Sequence, residues 1–148
     1  MAELHEVDTW LAALLSQLEP AARKKMLQEV ARDVRRIQQV NITAQRSPDG
    51  TAWEPRRISA RSKKGRIRRG MFAKLKTAKY LKSQASADAA EVAFVPGVQR
   101  LARVHHYGLR DRVSRHGIIV KYSERTLIGI NKPCKDDIKL FLLEWLTK

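Results

Sequence analysis

The chain has 148 residues, 43% of them apolar, so it is long enough for one domain with a buried core, and global disorder is not expected. Its formal net charge is +15, and its single cysteine, Cys134, excludes an intramolecular disulfide and a cysteine-based metal site and suits a reducing compartment. No stretch approaches the roughly 20 apolar residues of a membrane span and no basic residue precedes Arg23, so we expect a soluble intracellular protein without a secretory signal.

Two helices are predicted in the N-terminal part of the chain. Asp8 is a candidate N-cap for the first helix, whose apolar face is formed by Trp10, Leu11, Leu14, Leu15 and Leu18. Pro20 ends this helix and opens the second, which we predict from about Ala21 to Ala44. The apolar stripe of the second helix is formed by Leu27, Val30, Ala31, Val34 and Ile37. At 1.5 Å per residue this helix would be about 36 Å long, as long as a small domain is wide.

A turn and a basic loop are predicted after the second helix. The sequence Ser47-Pro48-Asp49-Gly50 is typical of a tight turn, because proline fixes its own φ and Asp and Gly follow in positions that turns favour. Residues 59–69 contain six basic side chains, one glycine and almost no apolar residue, which indicates an exposed, mobile loop. A helical spacing then returns at Met71, Phe72, Leu75 and Ala78.

The middle of the chain predicts strands on either side of a short helix. Two β-rich runs, 80–81 and 91–95, are separated by polar and small residues. Residues 98–108 fit a helix that ends at Gly108 or a strand, and the helix is favoured because the strand would place charge on one face. Residues 109–116 are predicted to be another basic loop, and 118–122 a strand.

The C-terminal segment predicts a final helix, and the order of the elements indicates the fold. Pro133, Asp136 and Asp137 are expected in the first turns of this helix, where negative charge suits the helix dipole. Its apolar face is formed by Ile138, Phe141, Leu142 and Trp145. We expect an α+β fold, with N-terminal helices and a C-terminal helix packed around a small antiparallel β-sheet and a long basic loop.

We expect one domain over residues 1–148. Its parts are a helical arm (1–45), a basic turn and loop (46–70) and an α+β core (71–148).

Most of the positive charge lies in one segment. Residues 46–82 contain thirteen Lys or Arg and two acids, a net charge of +11, whereas residues 1–45 carry six of each sign. Such a cluster points to a negative partner, and the interleaved Trp53, Phe72 and Tyr80 favour contact with phosphate. The alternative is a solvated loop that keeps the protein soluble. No helix-turn-helix, RNA-recognition or zinc-finger pattern accompanies the charge, so sequence-specific reading of nucleic acid is not expected.

The sequence gives no support for catalysis. It has no Gly-rich phosphate loop, no nucleophile elbow and no HExxH motif. The adjacent His105 and His106 would point in different directions on a helix or a strand, and a metal site would need further ligands. We therefore expect no enzyme, no metal and no cofactor, with His105 packed through a hydrogen bond and His106 facing water.

Trp53 follows the predicted turn and has two interpretations. It either fixes the return of the loop onto the core or is an exposed aromatic residue of an interface. The first is favoured, because a long polar loop needs an apolar fixing point.

Four fragments in this order resemble a known family. They are SPDGTAWEPR (47–56), KKGRIRRGMFAKLKTAKYL (63–81), VQRLARVHHYGLRDR (98–112) and ERTLIGI (124–130). Over almost its whole length the chain resembles the tail-completion, or virion-morphogenesis, proteins of contractile-tailed temperate bacteriophages, including Mu-like phages. The matched motif positions are Pro48, Asp49, Gly50, Trp53, His105, Gly108, Arg125 and Gly129. The resemblance implies that they are turn and packing residues, not catalytic ones; residues 131–134 depart from the family pattern.

The resemblance implies a structural role at the head-proximal end of the tail, where the tail is terminated and made competent to join a DNA-filled head. It implies a ring at the neck, a homo-oligomer with the sixfold symmetry of the tail. The expected partners are tail tube, terminator and head-connector proteins, and the expected localisation is the host cytoplasm during assembly and then the virion.

Basic residues of the loop are candidates for contact with a partner or, non-specifically, with genomic DNA. They are Arg61, Lys63, Lys64, Arg66, Arg68 and Arg69. Two alternatives stay open: a small basic nucleic-acid-binding protein without a virion role, and a tail assembly factor that is absent from the mature virion.

Overall fold

The computed structural model describes Thr9, Ala12, Ala13 and residues 18–56, 70–113 and 115–147. From residue 18 onward, the described residues form three helices and two antiparallel sheets of two strands each, which confirms the α+β class. In chain order these elements are α1 (Pro20–Thr43), β1 (Leu81–Ala85), β2 (Ala90–Phe94), α2 (Pro96–Tyr107), β3 (Arg110–Arg112), β4 (Ile119–Lys121) and α3 (Lys132–Leu146). Most of the predicted first helix, and the basic loop predicted at 59–69, lie outside the described residues.

Helix α1 confirms the predicted second helix. Pro20 is its first residue, where the missing N–H would have had no partner within the helix. The helix ends before Gln45, whose φ of 58° is left-handed and cannot continue it. The buried face of α1 is formed, at helical spacing, by Met26, Val30, Ala31, Val34, Gln38 and Ile42.

Two apolar clusters form the core, and α1 contributes to both. The first cluster consists of Ile42, Trp53, Leu75, Leu81, Phe94, Ala102 and Leu127. The second consists of Met26, Val30, Val34, Cys134 and Leu142, so it joins the N-terminal half of α1 to α3. Burial of one side chain of this size contributes about 1.5–3 kcal/mol. Both ends of α1 are therefore held by tertiary packing, and its N-terminus has no side-chain cap.

Both sheets are hairpins. In the first, Leu81 of β1 lies opposite Phe94 of β2, and both side chains are buried in the first cluster. In the second, Asp111 of β3 lies opposite Val120 of β4. The prediction of a loop over 109–116 is therefore wrong for β3. Its charged sequence has no alternation of its own, and its strand conformation comes from pairing with β4.

Residues 71–80 form consecutive turns, so the helix predicted there is wrong. Phe72 has a φ of 62°, a left-handed conformation that a right-handed helix cannot include. Leu75 is nevertheless buried in the first cluster. Met71 and Phe72 are half-buried against the same cluster and Ala78 is exposed, so the apolar spacing of this segment does not correspond to one helical face.

Helices α2 and α3 carry clear end signals. Helix α2 confirms the favoured interpretation of residues 98–108, and it ends at Gly108 with a φ of 65°. Helix α3 starts after Asn131, whose side chain accepts a hydrogen bond from the Cys134 N–H at 3.0 Å. Asp136 and Asp137 lie beyond the first turn, which contains no acid, so their predicted contribution to the helix start is wrong. None of the described helices is both long and apolar enough to cross a membrane.

Candidate functional site

An irregular segment of residues 122–131, which we call the strap, connects β4 to α3 and contacts most of the fold. Its Tyr122 N–H donates to the Leu109 carbonyl at 3.1 Å, and its Arg125 N–H donates to the His105 carbonyl at 2.9 Å. Further along, the Leu127 N–H donates to Nδ1 of His106 at 3.2 Å. The strap has no regular secondary structure, and these hydrogen bonds satisfy backbone groups that a sheet would otherwise pair.

The predicted turn at 47–50 is confirmed and packs against the strap. The Gly50 N–H donates to the Ser47 carbonyl at 2.9 Å, and Gly50 has a φ of 91°. The Thr51 N–H donates to Oδ1 of Asp49 at 2.9 Å, and the hydrogen bonds from Thr51 hold the pKa of the Asp49 carboxyl below its ordinary value. Pro48 is buried, and its carbonyl accepts a hydrogen bond from the Asn131 side-chain amide.

Trp53 joins the turn to the strap, which confirms the interpretation of Trp53 as a fixing point. Only 6% of its surface is exposed. Its Nε1 donates a hydrogen bond to the Ser47 hydroxyl oxygen and to the Thr126 carbonyl oxygen, each at 3.1 Å. A buried indole needs such an acceptor, since an unpaired N–H in the core would be costly.

Arg125 is a buried cation that holds the chain after Trp53. Its Nε–H donates to the Glu54 carbonyl at 2.9 Å, and one terminal nitrogen donates to the Pro55 carbonyl at 3.2 Å. Only 7% of Arg125 is exposed, and none of the three ion pairs among the described residues includes it. The guanidinium therefore holds two segments together, and the hydrogen-bond acceptors of its side chain in the described part of the chain are neutral carbonyls.

Two of the motif glycines allow close backbone approach. A Cβ at Gly108 would lie 2.8 Å from the backbone nitrogen of Glu124, and a Cβ at Gly129 would lie 3.1 Å from Cγ of Pro48. At Gly108 the positive φ adds a second reason for glycine. These glycines let the strap lie directly on the end of α2 and on the turn.

The histidine pair is arranged differently from the prediction. His106 is half-buried and is the histidine whose side chain makes the hydrogen bond, as the acceptor from Leu127. Nδ1 of His105 is buried, and no described group forms a hydrogen bond with it. Burial lowers the pKa of both histidines, and the nearby positive charge of Arg125 lowers that of His105 further.

His105 instead lies in a row of rings. Its centroid is 4.9 Å from that of Phe72 and 4.6 Å from that of Tyr122. Phe72 in turn packs edge-on against Trp53 with centroids 5.6 Å apart. The row connects the turn motif to the end of α2, and the left-handed backbone of Phe72 belongs to this arrangement.

The structure thus brings the eight motif positions together around the strap. It also shows two residues that the sequence analysis missed. Gln38 is 2% exposed, and its amide bonds both the Gly129 carbonyl at 2.9 Å and the Gly129 N–H at 3.0 Å. Asn131 bonds both Pro48 and Cys134. The available signal for Gln38 was a polar residue four positions after Val34, on the apolar stripe of α1.

The arrangement is suited to holding segments together. Among the described residues, no group of three His, Cys, Asp or Glu side chains is placed to hold a metal ion. The six basic residues proposed for partner contact (61, 63, 64, 66, 68 and 69) lie outside the described part of the chain.

Comparison with known proteins gives one family. A model of the phage virion morphogenesis family matches residues 2–147. The chain is similar to "Tail completion protein S" of Escherichia phage P2, with 37% identity over 131 residues that cover 87% of each chain. No solved structure matches the chain. Because the family model spans nearly every residue, including the turn, the row of rings and the strap, the chain belongs to the phage virion morphogenesis family.

Proposed function

We propose that this protein completes the head-proximal end of a phage tail and makes it competent for joining to the head. The observation that carries the proposal is the relative named for tail completion, which is 37% identical and aligned over 87% of each chain. The eight motif positions support it, since they hold segments together and include no nucleophile with a partnered base. A protein of this kind acts through its surfaces.

The proposed working form is a homo-oligomeric ring at the neck with sixfold symmetry, placed between tail proteins and the head connector. A ring built from head-to-tail contacts needs two different patches on each subunit. One candidate is the β3–β4 hairpin, where Val113, Ile118 and Ile119 are 60%, 76% and 61% exposed. Apolar side chains gathered at the end of a charged hairpin favour an interface. The polar face of the long helix α1 is a second candidate.

Imaging of the neck of intact particles tests the ring. Cryo-electron microscopy of virions should show a sixfold layer whose density accommodates α1 and the two hairpins. Mass spectrometry of the same purified particles should detect the chain. A neck layer built wholly from other proteins, or particles that lack the chain, would leave an assembly factor that departs before maturation.

Non-specific contact with the genome is a second proposed role, and the charge of +11 over residues 46–82 favours it. The variant for the test replaces Lys63, Lys64, Arg66, Arg68 and Arg69 with Gln. We expect virions that assemble but eject DNA poorly. The control removes three exposed positive charges outside α1 and the β3–β4 hairpin, at Arg103, Lys132 and Lys135. Equal ejection by the two variants and the unchanged phage would show that the charge of the loop is dispensable.

A further inference from the structure

A cavity of about 570 Å³ lies between the β3–β4 hairpin, the end of α2 and the turns that follow residue 70. Much of its wall is apolar and is formed by Met71, Phe72, Val120 and Tyr122. The cavity falls in the size range of ligand pockets in proteins. Three of the four rings in the row, Phe72, His105 and Tyr122, line the cavity.

Among the described residues that line the cavity, the fully charged ones are all basic. They are Arg56, Lys121 and Arg125, and none of the described lining residues is acidic. Arg125 is 7% exposed and makes hydrogen bonds to two neutral carbonyls. A buried charge is costly unless an opposite charge and hydrogen bonds compensate it. The wall of the cavity therefore favours an anionic group.

The wall of the cavity also contains His105, whose hydrogen bonding is not satisfied by the described residues. Nδ1 of His105 is buried without a hydrogen-bond partner in the described structure. Buried polar atoms nearly always have a partner, so this atom calls for an explanation. It lies in the same cavity wall as Arg125, and the backbone N–H of Arg125 bonds the His105 carbonyl.

We propose that the cavity receives an acidic segment of a partner protein, with an apolar side chain in the cavity and a carboxylate paired with Arg125 and Lys121. This inference rests on the proposed function and identifies the chemistry of one partner. The rings favour a peptide over a nucleotide. Phe72, His105 and Tyr122 pack on one another at interplanar angles of 59° and 61°, so these contacts form no parallel-faced slot for a base.

A small carboxylate tests the recognition chemistry directly. The probe is N-acetyl-phenylalanine, which combines an apolar ring with a carboxylate, and its neutral amide is the matched control ligand. Amide NMR of the full chain should show saturable shifts at Phe72, His105 and Tyr122 with a millimolar dissociation constant, and roughly tenfold weaker binding of the neutral amide.

Lys121→Gln should weaken binding roughly threefold, while Lys135→Gln, an equal charge change on an exposed site of α3, should not.

Three results would overturn the proposal: no saturable shift at these residues, equal binding of the acid and its amide, or tighter binding of thymidine 5′-monophosphate at the same residues. The last would assign the cavity to nucleic acid.

A second arm uses the phage. Lys121→Glu should reduce the joining of heads to tails, whereas Lys135→Glu should not. If loss of the whole gene blocks joining and Lys121→Glu does not, the cavity proposal fails and the proposed function stands. If loss of the whole gene leaves particles intact, the proposed function fails, whatever the cavity binds.

Discussion

At the residue scale, the contact between the end of α2 and the strap depends on the absence of a side chain at Gly108. The backbone of Gly108 is left-handed, and an added Cβ would lie 2.8 Å from the nitrogen and 2.9 Å from the Cα of Glu124. Both of those atoms are backbone, so the clash cannot be relieved by rotation of a side chain. Close packing here fixes the start of the strap and, through it, the position of Arg125.

Gly108→Ala should therefore destabilise the protein by about 2–4 kcal/mol, because the left-handed backbone and the overpacking each add a cost. The matched control is Gly97→Ala, since nothing lies within 4 Å of a Cβ there and Gly97 is part of α2. The control should be unchanged or slightly more stable, because alanine favours a helix. Urea unfolding, monitored by tryptophan fluorescence, measures the stability of both variants. Equal stability of the two variants would show that the strap moves away at little cost.

The hydrogen bond from the Leu127 N–H to the His106 side chain makes the stability of the fold depend on pH. Nδ1 of His106 accepts this hydrogen bond and must be unprotonated to do so. Burial lowers the pKa of His106 in the folded state, so over the window between that pKa and the ordinary value of about 6.5 the unfolded chain binds more protons. The contribution of His106 to the free energy of unfolding should therefore be complete above about pH 6.5. It should be lost as the pH falls from there through the folded-state pKa.

His106→Asn tests this dependence, because an amide oxygen can accept the same hydrogen bond and does not titrate. Urea unfolding at pH 7.5 and pH 5.5 should show a larger loss of stability for the unchanged protein than for the variant. His105, whose pKa is also lowered, is present in both and contributes equally. The pKa values of Asp49 and Asp111 are lowered from an ordinary value of 3.8, so these carboxyls stay ionised at both pH 5.5 and pH 7.5. Identical losses in the two proteins would contradict the role of His106.

At the scale of elements, α1 is tied to the strap by a single buried amide. Gln38 pairs with both backbone groups of Gly129, and the two residues are 91 positions apart in sequence. Loss of the amide would leave the N–H and the carbonyl of the half-buried Gly129 without this partner. The long helix and the irregular strap are thus positioned by one side chain as well as by apolar packing.

Gln38→Met keeps the length of the side chain and removes both hydrogen bonds, so it should cost about 2–4 kcal/mol. Gln28→Met is the control on the same helix, at an exposed position, and should stay within about 0.5 kcal/mol of the unchanged protein. Thermal and urea unfolding of the pair measure the difference. A loss at Gln38 no larger than at Gln28 would mean that water or a shifted strap replaces the amide.

The sequence predicts elements whose local pattern agrees with their final environment. Helix α1 has a long apolar stripe, and the end of α2 has a glycine in the position that such ends favour. Prediction from the sequence fails where tertiary contacts determine the backbone conformation. The charged β3 is a strand because β4 pairs with it, and Phe72 adopts a left-handed backbone within a row of rings. The strap has no helical or strand periodicity in its sequence, so its role is seen only from the contacts that it makes in the folded chain.

At the scale of the whole molecule, α1 contributes side chains to both core clusters, and the strap bonds both α1 and α2. The N-terminal half of α1 packs on α3, and its C-terminal end packs near Trp53 and Leu127. This arrangement leaves the β3–β4 hairpin extended from the core with exposed apolar residues. The helix, the strap and the two clusters thus hold the fold together, and the apolar residues of the hairpin stay exposed.

Electron microscopy of a lysate from a phage that encodes this chain, with the gene disrupted, tests the assembly role most directly. A role in tail completion predicts DNA-filled heads beside separate tails of normal or aberrant length, and normal particles when the gene is supplied in trans. Intact, infectious particles from the disrupted phage would contradict a role in tail completion and would leave the basic segment at 46–82 as the feature to explain.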